Sequence, residues 1–180
     1  MATLTLLRTN SDNADFKYLV RMLDQTLNGY YRDSQRTYDK FNVLPLLDTV
    51  LIAKIGSEPI GCGCFRPFDG NTVEIKRMFV RNEHRGMGIA TSILLELERW
   101  AGELGYKKSI LETGVQQLEA IRLYKKNGYF RTENFGPYVG METSVCFAKN
   151  LSVDKSEPSH SKKMPGIAVI QDNESYGKTT

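Results

Sequence analysis

The sequence predicts an α/β fold built on a mixed sheet, and two observations lead to it. Three apolar stretches in the first half, TVLIAKI, IGCGCFRPF and TVEIKRMFV, are separated only by the short turns GSEP and DGN. Such spacing predicts three antiparallel strands with tight connections. Helical patterns alternate with strands in the second half, where KKSILETG follows a helix. A strand reached through a helix usually runs parallel to its predecessor, so we expect both kinds of neighbour in one sheet.

The length and composition are those of a single soluble domain. The 180 residues are 41% hydrophobic and 25% charged, and no apolar run approaches the roughly 20 residues that span a bilayer. No signal-peptide pattern opens the chain, so we expect a cytoplasmic protein without a membrane partner. The net charge of +3 arises from interspersed charges. Because there is neither a basic stripe nor a known nucleic-acid motif, we expect no nucleic-acid partner.

The first elements are a strand and a helix. Residues 3–8, TLTLLR, form the predicted strand, and the apolar residues between positions 16 and 27 recur at helical spacing. Ser11 or Asp12 is suited to cap this helix, and Gly29 is expected just past its end. The polar and aromatic stretch that follows fits neither period, which is typical of a short helix or a loop near a site.

The remaining elements follow the meander. We expect a helix in IATSILLELERWAGELG, a strand in KKSILETG, a helix in QQLEAIRLYKKNG, and strands in YFRTENF and TSVCFAKNL. Residues 152–180 are rich in Ser, Lys, Pro and Gly, with one short apolar segment, GIAVI. The sequence therefore predicts a domain over residues 1–151 and a tail over residues 152–180, either flexible or docked on a neighbour through that segment.

The cysteines and histidines do not form a recognisable metal or disulfide pattern. Cys62 and Cys64 lie two residues apart in a predicted strand and face the same side, and Cys146 stands alone. We expect all three to be reduced packing residues. His84 and His160 have no acid or cysteine partner at an interpretable spacing, so we expect no metal site and no catalytic triad.

A glycine-containing turn, RNEHRGMGIA, leads from the meander into a helix. Glycines at a helix start let a ligand approach the backbone, where unpaired amides and the helix dipole attract anions. The turn lacks the GxxxxGK pattern of a P-loop. Gly86 and Gly88 supply part of a dinucleotide fingerprint, with Glu112 as the ribose-binding acid, but the preceding meander disfavours that fold. The remaining interpretation is a diphosphate held by Arg85 and the amides of the turn.

The same residues resemble a known family. RGMGIA, residues 85–90, fits the acyl-CoA signature of the GCN5-related N-acetyltransferases (GNAT), in which Gln or Arg, two variable residues and Gly precede one variable residue and then Gly or Ala. The flanking EIKRMFV, LLELERWA and AIRLYKKNGY are also similar to that superfamily. The resemblance covers roughly residues 3–151. It implies a sheet splayed between two central strands, with coenzyme A in the splay, and acetyl transfer from acetyl-CoA.

The resemblance also implies which residues bind the cofactor. The strand before the turn would present its main chain to the pantetheine arm, the turn amides would hold the pyrophosphate, and the next strand and helix would border the arm. Gln117 stands where the family often has asparagine. The expected cofactor-binding residues are Met78, Phe79, Val80, Arg85, Gly86, Met87, Gly88, Ile89, Ala90, Thr113, Gln117 and Tyr124.

Two residues are expected to be catalytic. Tyr124 stands where the family carries a tyrosine that protonates the departing thiolate; the alternative is that it only packs. Glu74 stands where several members carry a base acting directly or through water; the alternatives are an exposed, solvated carboxylate or ordered water alone. Lys76 and Arg77 could line the mouth of the cofactor site.

The acceptor is expected to be a small-molecule primary amine. It would enter between residues 30–41 and the hairpin NFGPYVGMETSV, both in variable parts of the family fold. A protein lysine or N-terminal amine, or a coenzyme A-binding module without transfer activity, are the alternatives. A homodimer stays open.

Overall fold

The computed structural model describes residues 3–30, 46–151 and 166–172. Within these ranges the chain forms eight strands, three α-helices and two short 3-10 turns. In chain order the strands and helices are β1 (Leu4–Thr9), α1 (Ala14–Tyr30), β2 (Val50–Ile55), β3 (Glu58–Pro67), β4 (Thr72–Val80), α2 (Ile89–Glu103), β5 (Lys108–Gly114), α3 (Leu118–Lys126), β6 (Phe130–Thr132), β7 (Ser144–Asn150) and β8 (Ile167–Gln171).

All eight strands belong to one mixed sheet, in the order β6-β7-β5-β4-β3-β2-β1-β8. Strands β1 to β4 form an antiparallel meander, whereas β5 lies parallel to β4. Strand β7 then pairs antiparallel with both β5 and β6. The mixed sheet flanked by helices confirms the predicted fold class.

The two central strands separate partway along their length. Strands β4 and β5 pair only from Thr72 opposite Lys108 to Ile75 opposite Leu111. Beyond those pairs, residues 76–80 of β4 and 112–114 of β5 have no pairing with each other. The separation leaves backbone groups of both strands available to a ligand. This is the splay that the family resemblance implied.

A β-bulge in β4 lies where the splay begins. Cys62 pairs with Phe79 and Cys64 with Lys76, so Gly63 faces two residues of β4. One of these, Arg77, has a φ of 58°, which is uncommon for a residue with a side chain. A Cβ on Gly63 would lie 2.7 Å from Met78 Sδ, so the bulge requires glycine on the neighbouring strand.

Two hydrophobic clusters hold the helices on opposite faces of the sheet. Helix α2 packs through Ile93, Leu94 and Leu97 on the larger cluster, and α1 packs through Phe16 and Leu19 on the smaller one. Burying such side chains contributes about 1.5–3 kcal/mol each. The smaller cluster also includes Cys62 and Cys64, and all three cysteines are free and buried, as predicted. Burial raises the pKa of the Cys64 thiol to about 12 and that of Cys62 further.

The start and end of α1 differ from the sequence prediction. Asn13 caps the helix, since its Oδ1 accepts hydrogen bonds from the amides of Asp15 at 2.9 Å and Phe16 at 3.4 Å. Ser11 instead accepts a hydrogen bond from the Leu47 amide. The helix also continues past Gly29. Packing of the apolar face on the sheet outweighs the cost of one glycine near the helix end.

The segment GIAVI of the expected tail is paired with the sheet. Strand β8 runs parallel to β1 of the same chain, and Thr9 Oγ1 donates a hydrogen bond to Asp172 Oδ2 at 3.1 Å. Without β8, strand β1 would be an edge strand with unpaired N–H and C=O groups. Pairing with β8 gives these groups hydrogen-bond partners, which stabilises the sheet. The aromatic segment 31–45 and the rest of the tail, with His160, lie outside the described residues. The domain boundary at Leu151 stays a prediction.

Candidate active site

Two cavities open where β4 and β5 separate. The long cavity, about 730 Å³, runs along β4, the glycine turn and α3. The polar pocket, about 100 Å³, lies between β4, β5 and the 3-10 turn Gly136–Tyr138. The residues that line both are Leu23, Leu27, Met78, Gln117 and Tyr124. The two cavities therefore adjoin along a border that includes Tyr124.

The glycine turn has the backbone conformation that its glycines allow. Gly86 and Gly88 have φ angles of 76° and 79°, in the left-handed region, and Gly88 directly precedes α2. A side chain at either position would be strained. Apart from the chain neighbours of each glycine, no atom of the described residues lies within 4 Å of a Cβ built at either position. The space above the turn is open to the long cavity.

The amides of this turn point to an open anion site. In the described part of the chain, the amides of residues 86–91 donate no hydrogen bond, and the first amide bonded to the turn is that of Ser92, to the Gly88 carbonyl at 3.0 Å. The Arg85 amide, by contrast, donates to the Asn82 carbonyl at 3.2 Å. The set of free amides thus begins at Gly86, one residue later than the sequence predicted.

The side chain of Arg85 fixes the turn against β4. Its Nε donates to the Val80 carbonyl at 3.1 Å, and one terminal nitrogen lies 3.3 Å from Glu119. The guanidinium therefore supplies positive charge beside the free amides while anchoring the loop. Arg122 and Lys126 also line the long cavity. Free amides, a helix N-terminus and cations together suit a diphosphate.

The strand residues expected to face the pantetheine arm line the long cavity. Met78, Phe79 and Val80 all do so, and beyond Ile75 the β5-facing side of β4 has no strand partner. The side chains of Phe79 and Val80 are buried in the hydrophobic clusters. Packing of the side chains and exposure of the main chain therefore coexist on this strand.

Thr113 and Gln117 lie on the other side of the splay. Thr113 is buried at the end of β5 and lines the polar pocket, and Gln117 lines both cavities. Gln117 occupies the N-cap position of α3, but its side chain makes no capping hydrogen bond. Its amide group is therefore available to a ligand.

Tyr124 is packed and also faces the cavities. The side chain is 5% exposed, and its ring lies against Tyr129 and Phe147 at centroid distances of 5.8 and 6.3 Å. In the described ranges no residue hydrogen-bonds its hydroxyl. Burial first, and then the nearby charge of Glu112, raise the pKa of this phenol above its usual value. It remains a protonated donor at neutral pH.

Glu74 is not the solvated carboxylate that its alternation on β4 allowed. It is 1% exposed. Its Oε2 accepts a hydrogen bond from Arg66 at 2.8 Å, and its Oε1 lies 3.2 Å from both Lys76 Nζ and the Tyr138 hydroxyl. Because the Tyr138 turn covers this face of β4, both faces of the strand are buried. Three donors occupy the carboxylate.

Glu112 is the residue that the sequence prediction missed. It lines the polar pocket, and its Oε1 accepts a hydrogen bond from Ser144 Oγ at 2.6 Å. It has no ion-pair partner among the described residues. Burial raises the pKa of this carboxyl above its usual range. The available signal was a glutamate directly after the apolar pair Ile110 and Leu111 in a predicted central strand.

The polar pocket also takes Tyr138 from the hairpin that was expected to border the acceptor. The side-chain amide of Asn134 lies within hydrogen-bonding distance of the carbonyls of Tyr138, Met141 and Ser144 and so organises the loop. Strand β6 consequently ends at Thr132, earlier than predicted. The other expected border, residues 30–41, lies outside the described side chains.

Within residues 3–30, 46–151 and 166–172, no group of three or more His, Cys, Asp or Glu side chains forms a candidate metal site. In the same ranges, no helix has the length and hydropathy of a membrane span.

Several known proteins are similar to this chain in fold and in sequence. The model of the acetyltransferase (GNAT) family matches residues 16–129. IAA acetyltransferase from Azospirillum brasilense is 31% identical over 153 residues, which cover 84% of this chain and 100% of the relative. A Klebsiella pneumoniae protein described as an acyl-CoA N-acyltransferase is similar in structure, with a TM-score of 0.66 and 31% identity over 84% of this chain and 99% of that one.

A ligand-bound relative is also similar. A GNAT family acetyltransferase from Elizabethkingia anophelis, solved with acetyl-CoA bound, has a TM-score of 0.50 and 28% identity over 57% of this chain and 75% of that one. The family model covers four of the eight described strands, β2 to β5, together with helices α2 and α3 and most of α1. The chain therefore belongs to the acetyltransferase (GNAT) family and is an acyl-CoA-dependent N-acetyltransferase.

Proposed function

We propose that the protein transfers the acetyl group of acetyl-CoA to the primary amine of a small molecule, by direct attack in a ternary complex. The observation that carries the proposal is that two different cavities adjoin along a border that includes Tyr124. The long cavity has free backbone amides and cations, which suit a diphosphate. The polar pocket has buried carboxylates, which suit an ammonium group.

The residues of the long cavity fit coenzyme A. The free amides of residues 86–90 would hold the pyrophosphate, and Arg85 would add positive charge beside it. Main-chain groups of Met78, Phe79 and Val80 would meet the pantetheine arm from one side, with Thr113 and Gln117 on the other. When bound, acetyl-CoA supplies the thioester; the chain supplies its position next to Tyr124.

Tyr124 serves as the general acid. Amine attack forms a nitrogen–carbon bond and breaks the carbon–sulfur bond, so the departing thiolate needs one proton. A phenol with a raised pKa and no hydrogen-bonding partner in the described structure can donate that proton. General acid catalysis of this kind contributes on the order of 10²–10⁴-fold.

Two carboxylates are candidates for the base that removes the amine proton. Glu74, the residue expected from the resemblance, already accepts hydrogen bonds from three donors. Glu112 has one neutral hydroxyl partner, and its second oxygen accepts no hydrogen bond from the described residues. A raised pKa also suits a base that works near neutral pH. We therefore assign Glu112 as the base and Glu74 as a residue that positions Lys76 and Tyr138.

The test is thiol release from acetyl-CoA over a panel of small primary amines, with coenzyme A binding measured separately by calorimetry. We expect amine-dependent release well above hydrolysis, together with an acetylated product identified by mass spectrometry. Binding without transfer to any small amine or to lysine-containing peptides would support a coenzyme A-binding module. Transfer only to the peptides would make the acceptor a protein amine.

A further inference from the structure

The polar pocket has an excess of positive charge on one wall. Arg66 and Lys76 both pair with Glu74, so two cations share one carboxylate. Arg77 also lines the pocket, but it forms an ion pair with Asp24 at 2.7 Å, so it adds no net charge to this wall. The side chain of Arg66 is 31% exposed and that of Lys76 only 7%. Since water screens Arg66, the uncompensated positive charge lies at Lys76.

The ammonium of Lys76 has bonding capacity left for a ligand. Lysine has three N–H donors. One lies 2.9 Å from the Tyr138 hydroxyl and another 3.2 Å from Glu74 Oε1. No other described residue accepts a hydrogen bond from Lys76. Its third donor is therefore directed at no described acceptor, on a side chain that lines the pocket.

The opposite wall has the complementary charge. Glu112 comes from β5, across the splay from Lys76 on β4, and its described partner is the neutral hydroxyl of Ser144. Lys76 attracts this carboxylate across the splay but forms no ion pair with it, and a buried carboxylate without an ion pair is costly unless a ligand compensates it. An acceptor ammonium would do so. The pocket thus presents one negative and one positive wall.

We propose that the acceptor is an amino acid or a similar small amino carboxylate, with its ammonium at Glu112 and its carboxylate at Lys76. This inference rests on the proposed function, because it names the acceptor class for the same pocket. A bound zwitterion satisfies both walls at once. A simple amine would leave the charge of Lys76 without a partner. A neutral acceptor would leave the charges of both Lys76 and Glu112 without partners.

The experiment compares matched acceptors with the wild-type protein. Phenylalanine is paired with 2-phenylethylamine and leucine with 3-methylbutylamine, so that each pair differs only in the carboxylate. Because the carboxylate alters amine basicity, kcat/KM is corrected for the unprotonated fraction. We expect roughly a tenfold or larger preference for the amino acids, as for a hydrogen bond to a buried charge.

Variants test whether Lys76 causes the preference. Lys76→Met should reduce the ratio of kcat/KM between amino acid and amine toward one, mainly through KM. Lys149→Met removes another ion-paired lysine, bonded to Glu98 outside both cavities, and should keep the wild-type ratio. If Lys76→Met does not fold, the comparison of amino acids with amines in the wild-type protein still tests whether the acceptor is an amino carboxylate.

The outcomes separate this inference from the proposed function. Transfer to the amines at least as efficient as to the amino acids would overturn the amino carboxylate assignment and leave the transferase intact. A preference that survives Lys76→Met would also overturn it. No transfer to either set, with coenzyme A bound, would overturn the proposed function and this inference with it.

Discussion

The two cavities that share Tyr124 on their border are built in different ways. The long cavity takes its anion site from consecutive main-chain amides, residues 86–90, at the start of one helix. The polar pocket takes its charges from side chains on separate strands: Glu74, Lys76 and Arg77 on β4, and Glu112 on β5. A site made of backbone depends on local conformation, whereas a site made of side chains depends on strand register.

This difference predicts how each cavity responds to substitution. Apart from proline, no substitution removes a backbone amide, so the free amides of the long cavity are altered chiefly through the conformation of its glycines. The charges of the polar pocket are coupled, because Glu74 is shared by Arg66 and Lys76. Removing one of these three charged side chains therefore changes the interaction energies of the other two.

Tyr124→Phe should have the largest effect, because it removes a hydroxyl from a residue that lines both cavities. We expect turnover to fall on the order of 100-fold or more, since thiolate protonation is lost. Coenzyme A affinity, measured by calorimetry, should stay within about twofold because the ring packing is kept. Unchanged turnover in the thiol-release assay would return Tyr124 to a packing role.

Glu112→Gln and Glu74→Gln test the two carboxylates of the polar pocket separately. We expect Glu112→Gln to lower kcat roughly 100-fold with little loss of stability, as removal of a base does. Glu74→Gln leaves the buried Lys76 and the partly exposed Arg66 without their carboxylate, and should lower the free energy of unfolding by about 3 kcal/mol. Steady-state kinetics and urea unfolding measure the two. Larger loss of kcat in Glu74→Gln, with stability preserved, would reverse the assignment of the base.

Gly88→Val tests the backbone-built cavity. A valine at a φ of 79° costs about 1–2 kcal/mol and shifts the free amides. We expect coenzyme A affinity to fall roughly tenfold, with the circular dichroism spectrum unchanged. Gly102→Ala, at the other end of α2 with open space around it, is the matched control and should leave affinity unaltered. Equal affinities in both variants would place the diphosphate elsewhere.

Ala168→Pro probes a region that belongs to neither cavity. The Leu4 amide bonds to Gly166 and the Asp172 amide to Arg8, so the alternation of a parallel ladder directs the Ala168 amide to β1. Proline there should lower the free energy of unfolding by about 1–2 kcal/mol, measured in urea, and leave turnover unchanged.

Val169→Pro is the control for β8, since its amide faces away from β1. It should be nearly neutral. Equal destabilisation by both prolines would mean that β8 is not held by this ladder.

The pH dependence of stability should show the smallest effect. The raised pKa of Glu112 means that the folded protein binds its proton more tightly than the unfolded chain. Stability should therefore fall as pH rises from the ordinary glutamate value toward the raised one. Glu112→Gln should lack this decrease. Urea unfolding of both proteins between pH 4 and 8, as roughly the window for a shifted carboxyl, measures the difference.

The sequence by itself determined the mixed sheet and the glycine turn with its free amides. The period-two meander and the glycines before an amphipathic helix are local patterns, since residues close in the chain dictate them. That is why the free amides at Gly86 to Ala90 were predicted to within one residue. Tyr124 was also predicted, because its position in the motif is carried by a contiguous stretch.

Only the tertiary structure decided the composition of the polar pocket. Nothing local to Glu74 reveals that Arg66, eight residues away, and Tyr138, sixty-four residues away, occupy its oxygens. The free oxygen of Glu112 and the pairing of β8 with β1 likewise depend on which strands become neighbours. Such contacts are set by register and loop closure, which the sequence pattern does not specify. Charge compensation inside a fold is a property of the assembled sheet.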